Sequence, residues 1–343
     1  MQKKLIALAV AGMIAAPVAM AQSNVTIYGL VDMGYTYRSD NIASGVGSKS
    51  ALDSGVQSGN RLGFRGTEDL GNGLKAGFVL EMGLFVDNGQ SRSDGNFSRQ
   101  SFLTLSGDFG TVAAGRQYSP QFNMLSALDP FGTGTVGQAN NLYVHDTRLS
   151  NTIAYVSPSF SGLNVTVAHS TQADGINQEN LANVGDARVW AIAPVYRNGP
   201  IMVGLNYHRI KAKSVSDSAT KVWDLGGSYD FGVVKLSAMY GSRKDSDINL
   251  DRRQWFVGAT APVSEVGNVL LSYGQTKNKG VTGSPKATQW ALGYTHNLSS
   301  RTNLYAAYAD ISNKSGAAFS VGDSSNLGQG YQQGFSVGVR HRF

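Results

Sequence analysis

Beyond residue 22, hydrophobic and polar positions alternate almost residue by residue. Val25, Ile27, Gly29, Val31, Met33, Tyr35 and Tyr37 stand against Thr26, Tyr28, Leu30, Asp32, Gly34, Thr36 and Arg38. The same period runs through Leu74, Ala76, Phe78, Leu80, Met82 and Leu84 against Lys75, Gly77, Val79, Glu81 and Gly83. It returns at the chain end, where Phe335, Val337, Val339, His341 and Phe343 oppose Ser336, Gly338, Arg340 and Arg342. Successive side chains of a strand point to opposite faces, so each run predicts a strand with one apolar face and one mixed, mostly polar face. A soluble sandwich alternates as well, and length separates the two. The runs last about ten to fourteen residues, where globular strands mostly have 5 or 6. A tilted strand crossing a bilayer needs about 9 to 11.

The connections alternate in length too. Short turns fall at Glu68–Gly73, Gly107–Gly110, Pro158–Gly162, Asn198–Pro200, Asp230–Gly232, Pro262–Gly267 and Asn297–Arg301. Longer polar segments fall at 39–57, 86–97, 117–147, 171–187, 212–220, 244–251, 278–285 and 313–330. Seven short turns and eight long loops predict sixteen strands. Short turns at one end and long loops at the other are the plan of an outer-membrane barrel, and closure leaves no unpaired edge in the lipid. Tyr and Trp recur inside these strands, from Tyr28 and Tyr35 to Trp290 and Tyr308, which fits a girdle at the headgroup level with about half of the rings facing lipid.

Composition narrows the class further. The chain of 343 residues has no Cys, which removes disulfide scaffolds, thiolate zinc sites and cysteine nucleophiles. Its 42 glycines are about 12% of the chain against a usual ~7%, and its charged residues are sparse at 15%. One apolar stretch could be mistaken for a membrane helix. Lys3 and Lys4 precede Leu5–Val18, and Ala19-Met20-Ala21 supplies an A-x-A site, so residues 1–21 read as a cleaved signal peptide and 22–343 as the barrel domain. Loss of Lys3 and Lys4 lowers the formal charge from +6 to +4. Export without disulfides requires stability from another source, which a closed strand ladder supplies.

Several segments then resemble one family. They are Gly59-Asn60-Arg61-Leu62-Gly63-Phe64-Arg65-Gly66-Thr67-Glu68-Asp69-Leu70-Gly71-Asn72-Gly73-Leu74-Lys75-Ala76, the stretch from Phe109-Gly110-Thr111 to Gly115-Arg116-Gln117, Asp129-Pro130-Phe131-Gly132, and the terminal Phe343. Together they resemble the trimeric general porins of Gram-negative outer membranes, in the branch typical of betaproteobacteria. The resemblance implies an all-β, 16-stranded antiparallel transmembrane barrel with an inward-folded constriction loop. It also implies a homotrimer in contact with outer-membrane lipid and lipopolysaccharide, passing small hydrophilic solutes and anions, with no cofactor.

The longest connection, 117–147, is the candidate constriction loop. It holds the only helix-like stretch of the mature chain, with Ser119 as N-cap, Pro120 at the first helical position and Phe122, Leu125 and Leu128 on one side. Opposite such a loop the resemblance places a cluster of arginines, and Arg61, Arg99 and Arg148 match its motifs. Arg61 alternates with outward Leu62 and Phe64 and so faces the lumen. For Arg99 the alternation is ambiguous, and the resemblance chooses inward. Arg116 and Asp129 are expected to set a transverse field across the constriction, with Asp146 the loop's other acid. So few acids predict anion preference, because fixed rings of charge set ion selectivity. Leu30 stands where many relatives carry a lysine, which leaves the cluster one charge short; Lys75, Lys314 and Arg340 are further candidate lumen charges.

Phe343, with His341, Val339, Val337 and Phe335 behind it on one face, resembles the signal read by the barrel-assembly machinery. Other motifs lead nowhere. Gly132-Thr133-Gly134-Thr135-Val136-Gly137 fits a dinucleotide fingerprint but follows no buried strand and opens no helix. His145, His169, His208, His296 and His341 show no metal-ligand spacing and no serine elbow, so an enzyme reading has no local support. The chain contains no basic run that would bind nucleic acid. A substrate-selective phosphate or organic-anion channel of the same architecture is the alternative to general diffusion. An outer-membrane enzyme or adhesin and a soluble β-sandwich are more distant readings.

Overall fold

The computed structural model describes residues 25–43, 45–91, 95–173, 187–212, 219–322 and 330–343. The leader expected over 1–21 lies outside these residues. The strands are β1 (Thr26–Asn41), β2 (Lys49–Ser54), β3 (Arg61–Gly71), β4 (Leu74–Phe85), β5 (Gln90–Ser91), β6 (Gln100–Gly107), β7 (Gly110–Tyr118), β8 (Arg148–Val156) and β9 (Leu163–Ser170). They continue as β10 (Ala187–Asn198), β11 (Ile201–Ala212), β12 (Thr220–Asp230), β13 (Lys235–Asp245), β14 (Leu250–Pro262), β15 (Gly267–Asn278), β16 (Lys286–Asn297), β17 (Thr302–Lys314) and β18 (Tyr331–Arg342). Two of them are accessory: β5 is a two-residue tag on β4, and β2 continues the line of β3 along β1. The remaining sixteen are staves of one antiparallel barrel, each paired with its sequence neighbours.

Closure is made by β1 against β18, in register from Leu30↔Arg342 to Asn41↔Tyr331. The seam extends to the last residue. Gly29 N–H donates to the Phe343 carbonyl and Phe343 N–H donates to the Gly29 carbonyl, each at 3.1 Å. All seven short turns lie where the alternation placed them; at the β3–β4 turn Asn72 and Gly73 both have positive φ (51° and 80°), the pair a tight primed hairpin turn requires.

Strand β10 shows the two faces clearly: Val189 and Ala191 are 1% and 5% exposed, whereas Trp190 and Ile192 are 58% and 44%. The aromatic girdle is more uniform than the expected half. Among the rings the alternation singled out, Tyr28 and Tyr305 alone turn inward, where Tyr28 donates to Glu81 and Tyr305 donates to Asp32. A buried phenol needs an acceptor, and on these staves only the inner face supplies one.

One irregularity shapes the lumen. Strand β1 pairs with β2 down to Met33↔Ser54 and with β3 from Leu30↔Arg61, so Val31 and Asp32 face six residues, 55–60. The surplus folds inward. It is held by Asn60 Oδ1 accepting from Asp32 N–H and by Asp32 Oδ2 accepting from Ser58 N–H, both at 2.5 Å. The loop expected over 39–57 therefore contains a strand and ends in an inward fold.

Candidate functional site

Residues 119–147 leave the wall between β7 and β8 and fold into the barrel. The helix α1 (Pro120–Leu128) starts as its residue types require: Ser119 Oγ accepts from Phe122 N–H at 3.0 Å and Pro120 occupies the first turn. Its buried side consists of Gln121, Met124, Leu125 and Leu128. Phe122, expected in that stripe, instead faces the lumen side and stacks with Tyr118 and His145, at centroid distances of 4.9 and 5.4 Å.

The loop docks on β10–β17. Met124, Leu125 and Leu128 pack against Met202, Met239 and Phe256, and further along the loop Phe131, Val136 and Leu142 pack on Ala291, Ala307, Ala309 and Ile311. Small inward side chains on β16 and β17 leave the space that the loop fills. This part of the inner wall is therefore mixed, with apolar patches that the alternation alone did not imply set among polar docking groups. Polar groups fix the docking. Asp224 accepts from Gln121 Nε2 (3.0 Å), Tyr143 Oη (2.6 Å) and Asn206 Nδ2 (2.8 Å); Gln254 pairs with both backbone groups of Val144; Gln289 accepts from Asn141 Nδ2 at 2.7 Å. At the tip, Thr135 N–H donates to the Val56 carbonyl of the inward fold at 2.5 Å, and Gly134 lies so close to Gln57 that a Cβ would collide with its backbone. The Gly132–Gly137 stretch thus serves close approach of two backbones, a reason for glycine beyond flexibility.

Between the docked loop and the wall formed by β18 and β1–β8 a cavity of about 890 Å³ remains open. Seven cations line it, Arg38, Lys49, Arg61, Arg99, Arg148, Arg340 and Arg342, against the acids Asp53 and Asp87. Arg61, Arg99 and Arg148 are thus brought together, and Arg340 joins them. Tyr118 organises two of the guanidinium groups. Its hydroxyl accepts from Arg99 Nη2 (2.8 Å) and Arg148 Nη2 (3.2 Å), and the Arg148 guanidinium lies 4.7 Å from its ring centroid. Arg340 donates to Asn303 Oδ1 (2.9 Å) and Ser58 Oγ (3.0 Å), and Arg61 Nε donates to the Gly59 carbonyl (3.0 Å).

Two acids of the wall escaped the sequence reading as site residues. Glu81 is buried and pairs with Arg99 Nε at 2.8 Å, with Arg61 Nη1 4.0 Å away. Asp32 is fully buried beneath the inward fold. Their place on the mixed faces of β4 and β1 was the available signal. Lys75, six residues before Glu81 on the same face of β4, is exposed at its turn end, and Lys314 lies at the long-loop end of β17 on the outward row. Leu30 is buried on the inner face of β1, opposite Arg61.

The expected transverse pair does not form. Asp129 is turned into the loop itself, where its carboxylate accepts from the N–H groups of Phe131 (3.1 Å), Thr133 (2.9 Å) and Ala139 (3.0 Å). Burial raises its carboxyl to about 6 despite these donors. Arg116 donates to the Ser98 carbonyl (2.5 Å) and Ser150 Oγ (2.6 Å), and lines a side pocket of about 280 Å³ with His145, Asp146 and Arg148. A carboxylate in a tight loop needs local donors, and those donors lie away from the lumen. Asp146 is engaged from the docking wall by an ion pair with Arg243 (2.7 Å) and a contact with His208 Nε2 (3.0 Å). Burial opposes its charge, but the His208 hydrogen bond and Arg243 hold it well below the usual carboxylate range. No loop residue that lines the main cavity is acidic.

Phe343 sits outward on the row of Phe335, Val337 and Val339, its ring against Gly29. Among the described residues no group of His, Asp and Glu could hold a metal ion.

A family model described as Gram-negative porin matches residues 7–316. Outer membrane porin protein 32 of Delftia acidovorans is 36% identical over 364 aligned positions, covering 100% of both chains. An outer membrane porin protein of Bordetella pertussis is 33% identical, over 95% of this chain and 96% of its own. Among solved structures, the anion-selective porin from Comamonas acidovorans matches with a TM-score of 0.79 at 33% identity, over 94% of this chain and 100% of its own. The trimer form of OmpT of Vibrio cholerae, at 17% identity and a TM-score of 0.70, shares the fold.

Proposed function

The chain belongs to the Gram-negative porin family, whose members are channels of the outer membrane, and from this premise we propose that its diffusion pore prefers anions. The observation that carries the proposal is the lining of the constriction: seven cations against two acids, with both carboxylates of the inward loop engaged elsewhere. Arginine keeps its charge at any physiological pH, and its fork exchanges one anion for the next without releasing a proton. The Comamonas relative is described as anion-selective, which supports the same reading.

The test is the zero-current potential of the folded protein in a planar bilayer under a roughly tenfold KCl gradient. A sign favouring chloride supports the proposal, and a sign favouring potassium overturns it. Replacing Arg61, Arg99 and Arg148 together by Ser should widen the pore and move the potential toward zero. Unchanged selectivity in that triple variant removes the cluster from the account. Convergence of Arg99 and Arg148 on one tyrosine also supports a second reading, a saturable site for phosphate or organic acids, in which conductance would level off as anion concentration rises.

Three further assignments belong to the same reading. Residues 1–21 are an export leader, checked by an intact mass that begins at Gln22. Val25, Ile27 and Val31, exposed and apolar on β1, support trimer contact through the first strands; a single-subunit mass in mild detergent would exclude it. Phe343 is the recognition element for assembly into the outer membrane.

A further inference from the structure

Behind the tip of the inward loop, on the short-turn side of the arginine cluster, lies a second and smaller cavity of about 310 Å³. Its wall is the turn end of β14–β18, with Thr260, Asn268, Thr295, Asn303 and Arg340, and Pro130 and Phe131 of the loop cover it. Gln57, Ser58, Gly132, Thr135 and Arg340 line both this cavity and the main one, so the two adjoin. They are separated by the contact between loop tip and inward fold, where Thr135 N–H donates to the Val56 carbonyl and Gly134 lies on Gln57.

The lining has three parts. Arg340 is its one charged residue. Asn303 Oδ1 and Ser58 Oγ accept from its Nε and Nη1, which fixes the guanidinium without neutralising it. Asp32, opposite Arg340 on β1, accepts instead from Tyr305 Oη and Ser58 N–H. Nη2 of Arg340 therefore keeps no partner among the described residues. The side chains of Thr260, Asn268 and Thr295 likewise line the cavity with no hydrogen bond to any described residue. The third part is apolar, made by Pro130, Phe131 and Leu270. The Phe131 ring is held in place against Gly137 and Gly293, where a Cβ would collide with it.

A fixed cation, an apolar surface and neutral polar groups together fit a small anion that carries a hydrocarbon ring. Chloride or inorganic phosphate would use the cation alone. Pockets for small organic ligands hold roughly 300 to 1,000 Å³, and this one lies at the lower end of that range. It therefore admits one small molecule.

We propose that this cavity is a subsite for small aromatic carboxylates, with the carboxylate on Arg340 and the ring against Pro130, Phe131 and Leu270. A charge-assisted hydrogen bond from the guanidinium gives the orientation, and removal of the ring from water gives the preference over smaller acids. The site is distinct from the one at Tyr118, since Tyr118, Arg61, Arg99 and Arg148 line only the main cavity. The proposal rests on the anion-preferring pore for arrival of its ligand.

The test is the conductance of the folded protein in a planar bilayer in KCl as benzoate, acetate or benzamide is added. Benzoate should lower the current along a saturating curve, with half-block at roughly tenfold lower concentration than acetate. Benzamide, which has the ring without the charge, should not block in that range. Equal block by benzoate and acetate, or by benzoate and benzamide, overturns the proposal on the wild-type protein alone. Two variants then locate the site. Thr295→Phe fills the cavity and should abolish the advantage of benzoate over acetate, whereas Arg61→Ser/Arg99→Ser/Arg148→Ser should retain it. The reverse pattern would put the binding in the main cavity and overturn the assignment, as would an advantage that survives Thr295→Phe. The zero-current potential in KCl alone tests the premise. A sign favouring potassium fails the anion reading, while a chloride sign with equal block by benzoate and acetate fails only the subsite.

Discussion

At the scale of single residues, selectivity depends on which charges are already neutralised. Glu81 offsets part of the arginine field, being buried against Arg99. Glu81→Gln should therefore push the reversal potential further toward chloride, while lowering stability because a buried guanidinium loses its partner. A shift toward potassium would mean that Glu81 acts through geometry and not charge. Asp129 has the opposite character, a carboxyl made harder to ionise by burial. Its folded-state value lies above the ordinary 3.8, at about 6. Its contribution to loop docking is then complete below about pH 4 and lost as pH rises through 6. Open-channel noise should rise across that interval in the wild type and become independent of pH in Asp129→Asn; a flat wild-type profile would refute the account. Alternation placed Arg61 on the inner face, but it could not see Glu81 as the neutraliser. Which acid meets which arginine is a matter of neighbouring strands, not of neighbouring residues.

At the scale of elements, the inward loop is a small core held inside a barrel. Leu125 is wholly buried against Met202, Met239 and Phe256. Leu125→Ala costs about 2 to 5 kcal/mol in an ordinary core, and here that loss falls on loop docking, because the strand ladder closes without it. We expect larger conductance fluctuations at an almost unchanged melting temperature. A large fall in melting temperature would show that the loop braces the wall. The helix itself was legible from Ser119 and Pro120, local signals that need no partner. Its buried face was legible only in part, since Leu125 and Leu128 are buried as their spacing implied. Phe122 fits an apolar stripe by spacing, yet Gln121 is the buried one, because Asp224 on β12 supplies its partner. Burial of a polar residue depends on the surface it meets.

At the scale of the molecule, closure depends on the chain end. Phe343 exchanges two backbone hydrogen bonds with Gly29 and covers it with its ring. Deleting Phe343 should lower the yield of folded protein, read as the heat-modifiable band on an unheated gel, without altering the conductance of the fraction that folds. Altered conductance in that fraction would show that the seam also shapes the pore.

Strand number, turn positions, the outward face of those staves whose alternation is unbroken and the site of the inward loop were determined by the sequence alone, because each depends on periods of two and on turn residues within a few positions. Tertiary structure decided the rest: the inward fold of residues 55–60, the apolar patches of the inner wall under the loop, and the removal of Asp129 and Asp146 from the lumen. Each of these depends on the register between strands distant in the chain. Register is set by closure of the whole ladder, and no local pattern of residues encodes it.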